Sequence, residues 1–144
     1  IMGAVSDDGG ATWRVQDIFR AGCRPSEGCW EPVALQFDDG HIELYFADES
    51  PYDTTSEQQI TMMRSDDDAE TWGEPQCVSF RQGTRDGMPV PIYLPHRDEV
   101  VVAIEDNGLD DHLTRLPDQF PAYLQILCIH MKSSCVFGHI IRLM

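Results

Sequence analysis

Short runs of β-branched and aromatic residues, broken every few positions by Asp, Gly, Ser and Pro, make up most of the chain. Residues 33–37 and 42–46 are two such runs, and Asp38, Asp39 and Gly40 between them predict a hairpin turn. Residues 60–63 predict a third strand and residues 76–80 a fourth. Residues 88–94 and 100–104 predict the start of a further unit, and residues 1–5 and 15–19 the end of a preceding one. No segment before residue 112 carries the period of an amphipathic helix. The fold class is therefore all-β. Four short antiparallel strands per unit, joined by tight turns, describe the blade of a β-propeller.

Self-similarity supports this reading. Ser6-Asp7-Asp8-Gly9-Gly10-Ala11-Thr12-Trp13 recurs as Ser65-Asp66-Asp67-Asp68-Ala69-Glu70-Thr71-Trp72, 59 residues further on. Glu31-Pro32-Val33 recurs as Met88-Pro89-Val90 at an offset of 57. Pro32 to Asp48 and Pro89 to Glu105 are each 16 positions, which puts Asp48 at the repeat position of Glu105. In the eight-residue motif, Asp and Gly suit a tight turn, the carboxylate accepts backbone N–H bonds, the Thr hydroxyl satisfies another, and the Trp ring packs on the sheet. Ser6, Asp8, Gly10, Thr12 and Trp13, with Ser65, Asp67, Thr71 and Trp72, are thus expected to be structural. Ala69 replaces the glycine of the first copy, which predicts some strain.

At this period residues 1–20 end one blade, 21–84 form a complete blade and 85–112 begin the next. Residues 113–144 fall off the pattern, and neither a strand nor a further motif is expected there. A closed ring needs at least four blades, or roughly 230 residues at this period. The chain is therefore expected to be a fragment of about two and a half blades, or to associate through exposed blade edges, with a truncated or frame-shifted end.

Charge narrows the ligand. Among 144 residues there are 10 Lys+Arg against 25 Asp+Glu, a formal charge of −15, which argues against nucleic acid and, less strongly, against an anionic ligand. Residues 1–112 hold 7 basic and 24 acidic side chains, and residues 113–144 hold 3 and 1, so composition changes where the period is lost. Five cysteines with no C-x-x-C spacing give neither a metal framework nor a disulfide scaffold. Cys128, His130, Cys135 and His139 fit no common zinc-finger spacing. No metal or cofactor is expected. The apolar stretch 122–144 is interrupted by Lys132 and polar residues and does not read as a membrane span.

Strand order alone sorts the loops. In a four-stranded meander the first and third turns share one face, so both eight-residue motifs lie on the face of Asp38, Asp39 and Gly40. The other face collects Trp30-Glu31, Asp48-Glu49, Arg85-Asp86 and Glu105-Asp106 from two neighbouring blades. Paired carboxylates are what glycoside hydrolysis needs: one protonates the leaving oxygen, the other attacks the anomeric carbon or activates water. Trp30, Asp48, Glu49, Arg85 and Asp86 are candidate substrate contacts. Trp30 would stack on a sugar or fill the blade junction, and Arg85 and Asp86 would bind hydroxyls or form a loop ion pair.

The motif S-x-D-x-G-x-T-W resembles the Asp box, or BNR repeat, of the sialidase superfamily. Trp30-Glu31-Pro32 and the run from Arg85 to Val90 are similar to its exo-arabinanase branch. The resemblance covers about residues 1–110. It implies a six-bladed propeller, a secreted or periplasmic parent protein and a glycan substrate, with Glu31 as nucleophile and Glu105 as general acid/base. True sialidases carry an arginine shortly after the second strand; here the sequence reads Phe46-Ala47-Asp48-Glu49-Ser50, which implies a neutral, arabinan-like sugar. The alternatives are a non-catalytic carbohydrate-binding or scaffold propeller, or an exo-sialidase whose arginines and tyrosine lie outside these residues.

Overall fold

Ten strands organise the chain in a computed structural model that describes residues 1–22, 27–105, 126–132 and 135–142, the last two segments as backbone. β1 (Met2–Val5) pairs with β2 (Arg14–Asp17). β3 (Cys29–Gln36), β4 (Ile42–Asp48), β5 (Gln59–Ser65) and β6 (Gln76–Ser79) form an antiparallel meander in chain order. β7 (Gly87–Leu94), β8 (Glu99–Glu105), β9 (Ile126–Lys132) and β10 (Cys135–Arg142) form a second meander of the same kind. The described residues contain strands and turns and no helix, so the all-β expectation holds.

The two sheets stack face to face. Tyr45, Ala47, Ile60 and Met62 of the first meet Val100, Val102 and Ile104 of the second, with Phe37 at one end. Alternation makes this possible: Tyr45 and Ala47 of β4, Ile60 and Met62 of β5, and Val100, Val102 and Ile104 of β8 stand at every second position and point into the seam. The other face of the first sheet packs Leu44, Phe46 and Met63 against Ile1, Ile18, Phe19 and Trp72 beside the β1–β2 pair. Such seams supply most of the stabilisation, at about 25 cal/mol per Å² of apolar surface removed from water. The outer face of β7 has no such cover: Met88, Val90 and Ile92 are each about half exposed.

Two sequence readings are corrected here. Residues 113–144 were expected to lack a strand, yet β9 and β10 run there, with β9 paired to β8 from Glu99↔Lys132 to Glu105↔Ile126. Pairing runs through backbone groups and so needs no repeat of the motif. Asp48, moreover, does not stand at the repeat position of Glu105; Ala47 does. Trp30 pairs with Ala47, whereas Gly87, 57 residues after Trp30, pairs with Glu105, 58 residues after Ala47. The cause is the hairpin turn. Phe37 N–H bonds to His41 O at 3.0 Å across residues 38–40, while Leu94 pairs with Glu99 across residues 95–98, one residue more.

Both eight-residue motifs fold alike. Asp8 Oδ1 accepts Thr12 N–H at 2.9 Å and Oδ2 accepts the Thr12 hydroxyl at 2.6 Å. Asp67 does the same with Thr71 at 2.8 and 2.5 Å. Ser6 and Ser65 each donate to their aspartate at 2.9 Å and accept a backbone N–H, from Gly10 at 2.8 Å and Ala69 at 3.0 Å. Gly10 has φ 91° and Ala69 φ 66°, the left-handed region where a Cβ is strained. The rings differ in surroundings: Trp72 packs on the Leu44–Phe46–Met63 cluster, and Trp13 is 62% exposed.

Candidate functional site

On the face opposite the eight-residue motifs, the inner strands of both sheets carry the same irregularity. The β3–β4 register slips between Trp30 and Val33, and the β7–β8 register slips between Gly87 and Val90. In each bulge a non-glycine residue takes a left-handed backbone, Glu31 at φ 56° and Met88 at φ 48°. A bulge re-aims a side chain out of the sheet's alternation, and such strain collects at functional sites. Here it sends the Glu31 carboxylate across to the next sheet, where Oε2 accepts Met88 N–H at 2.5 Å.

Glu105 closes β8 directly opposite Gly87. A Cβ built on Gly87 would stand 3.2 Å from Glu31 Oε2, 3.3 Å from Gln58 Nε2 and 3.8 Å from Glu105 Oε2. The two carboxylate oxygens therefore lie within about 7 Å of each other, a bound that takes in the separations used in glycoside hydrolysis, about 5–5.5 Å for retention and from about 6.5 Å for inversion. Glu31 is exposed and Glu105 half-buried, so water and ligand reach both. Trp30, next to Glu31, is 52% exposed; its indole lies against Gly28 and bonds to Glu49.

The remaining candidates are bound up in scaffolding. Arg85 donates to Glu49 Oε1, to Gln58 Oε1 at 3.0 Å and to Ser56 O at 2.5 Å. Glu49 is buried, and Oε2 also accepts Gly28 N–H at 3.0 Å. Burial pushes its carboxyl up, but the bonds from Arg85, Gly28 and Trp30 and the Arg85 charge outweigh it and hold the group below the usual carboxylate range. Asp86 is fully buried and paired with Arg81, whose Nε lies 3.1 Å from Oδ2. Asp48 is buried too, accepting from Ser50 N–H at 2.9 Å, the Ser50 hydroxyl at 2.6 Å and Thr61 Oγ1 at 3.2 Å. In place of one loop ion pair, Arg85 is paired with Glu49 and Asp86 with Arg81. Among the described residues no cluster of three or more His, Cys, Asp or Glu side chains is placed to hold a metal.

Three contributors escaped sequence reasoning. Gln58 is buried, and its Nε2 donates to Asp86 O at 2.7 Å while its backbone N–H bonds to Thr84 O at 3.2 Å. Gly87 leaves room for the carboxylates, and Met88 supplies an amide rather than a side chain. The glycine after Arg85-Asp86 was the one visible signal; a glutamine in a loop and a backbone donor leave none.

No protein-family model and no curated protein matches the chain. Solved structures do. An α-L-arabinofuranosidase variant from Fusarium graminearum in complex with an iminosugar inhibitor superposes with TM-score 0.71 at 20% identity, over 96% of this chain and 39% of that one. The α-L-arabinanase of Penicillium chrysogenum complexed with arabinobiose gives 0.67 at 22%, over 97% and 39%. The GH93 α-L-arabinofuranosidase of Fusarium graminearum with arabinobiose gives 0.70 at 20%, over 96% and 39%. The chain thus spans about two fifths of the length of these enzymes. The likeness establishes the fold: the two meanders and the β1–β2 pair are part of a β-propeller built from four-stranded antiparallel blades.

Proposed function

We propose that these blades belong to a glycoside hydrolase of the sialidase-like, Asp-box type that cleaves a neutral, arabinan-like glycan, with Glu31 as nucleophile and Glu105 as general acid/base. The observation that carries the reading is the convergence of Glu31 and Glu105, from different blades, on the space above Gly87. Such a pair supplies both halves of the reaction: a proton for the leaving oxygen and a carboxylate for the anomeric carbon. The neutral substrate is supported by Arg85, whose charge is met by Glu49 instead of facing the rim. It is further supported by the arabinobiose bound to two of the similar enzymes. Activity is proposed for a ring closed around these blades, not for the chain alone.

Substitution tests it. In the ring-closed protein, Glu31→Gln and Glu105→Gln should each lower turnover of aryl arabinosides or arabinan by about 10²–10⁴-fold with binding largely kept. Asp48→Asn is the control, since that carboxylate serves its own loop. Full activity after Glu31→Gln ends the assignment.

A further inference from the structure

We infer that the Gly87–Met88 bulge is the positioning element for Glu31, an inference that rests on the glycosidase reading and deepens it. A carboxylate on a flexible two-methylene stem is useful only if one oxygen is fixed while the other meets the substrate. Met88 supplies that anchor. Its left-handed backbone, φ 48°, turns the N–H out of the β7–β8 ladder and onto Glu31 Oε2. Gly87 keeps the approach open, because a methyl there would press on Glu31 Oε2 at 3.2 Å and on Gln58 Nε2 at 3.3 Å. Gln58 in turn holds the peptide before the bulge through Asp86 O, and Arg85 ties Gln58 to Glu49. The chain of contacts runs from Glu49 through Arg85 and Gln58 to the 86–88 backbone and ends on the carboxylate. One blade thus orients the reactive group of its neighbour, and the bulge is strained so that it can.

The test needs no turnover, so its failure is separate from failure of the glycosidase reading. The amide resonance of Met88 is followed by ¹H–¹⁵N NMR through the carboxylate pH range in the full chain. An amide bonded to a carboxylate shifts as that carboxylate gains a proton. The wild-type Met88 amide is expected to titrate, and the titration to vanish in Glu31→Gln, an exposed substitution that leaves the fold alone. Gly87→Ala should shrink the excursion about twofold or more, because hydrogen bonds weaken steeply as they lengthen. A Met88 amide that does not titrate, that titrates unchanged in Glu31→Gln, or that is unmoved by Gly87→Ala overturns the inference. Should Gly87→Ala not fold, the comparison of wild type with Glu31→Gln still decides it.

Discussion

Ala69 sits at φ 66° where the first motif has Gly10 at φ 91°. A Cβ in the left-handed region costs about 1–2 kcal/mol, partly offset by the smaller entropy of the unfolded alanine. Ala69→Gly should therefore stabilise the chain by about 0.5–1 kcal/mol, read as a higher urea midpoint at unchanged slope. Asp8 offers a second measurement. Bonds from the Thr12 hydroxyl, the Thr12 N–H and Ser6 lower its carboxyl to about 2 from 3.8. Because the folded value is the lower one, the turn's contribution is fully present above pH 3.8 and is lost as the pH falls through about 2. Asp67 is lowered for the same reason, with the Thr71 hydroxyl foremost. Thr71→Val should return Asp67 towards its ordinary value while Asp8 stays low, as carboxyl NMR titration would show.

Within the first sheet, β4 carries a buried polar pair. The Tyr45 hydroxyl donates to Glu43 Oε2 at 2.5 Å, and both residues are buried. Burial, and then the Glu43 charge, push the phenol far above its usual value, so it stays a donor at every working pH. Tyr45→Phe should cost about 1–3 kcal/mol in denaturant unfolding, because it leaves a buried carboxylate without that donor. Replacing both, Glu43→Met with Tyr45→Phe, should recover much of the loss. At this scale β4, β5 and β8 were legible as short runs of β-branched, aromatic and other apolar residues bounded by turn residues. Three things were not. The bulges at Glu31 and Met88 carry no glycine at the strained position, so nothing in the residue types announces them. The extra residue in the turn at 95–98 looks like any other turn composition, yet it separates Asp48 from the repeat position of Glu105. β9 and β10 are joined to β8 by backbone pairing, and their short apolar runs carry no period that tells strand from other buried structure. Strand order alone sent Glu31 and Glu105 to one rim together with Asp48, Glu49 and Asp86, and it was the resemblance that singled out the pair.

At the scale of the whole molecule, two apolar surfaces stand open among the described residues. Met88, Val90 and Ile92 line the outer face of β7, and Met2, Trp13 and Val15 are exposed on the β1–β2 pair. The equivalent face of the first sheet is covered by the second, so these faces are built for a neighbour. The chain alone should associate in a concentration-dependent way in sedimentation velocity, and Val90→Lys with Ile92→Lys should shift it towards monomer. A single monomeric, cooperatively unfolding wild-type species would refute this. The two hairpins differ by one turn residue, three at 38–40 and four at 95–98, yet each inner strand keeps the same partner: Val33 pairs with Tyr45 and Val90 with Ala103. The turn therefore absorbs a change of length that the ladder does not feel, and a single-codon deletion within 95–98 should leave Val100, Val102 and Ile104 in the seam, read as a folded chain with a nearly unchanged urea midpoint.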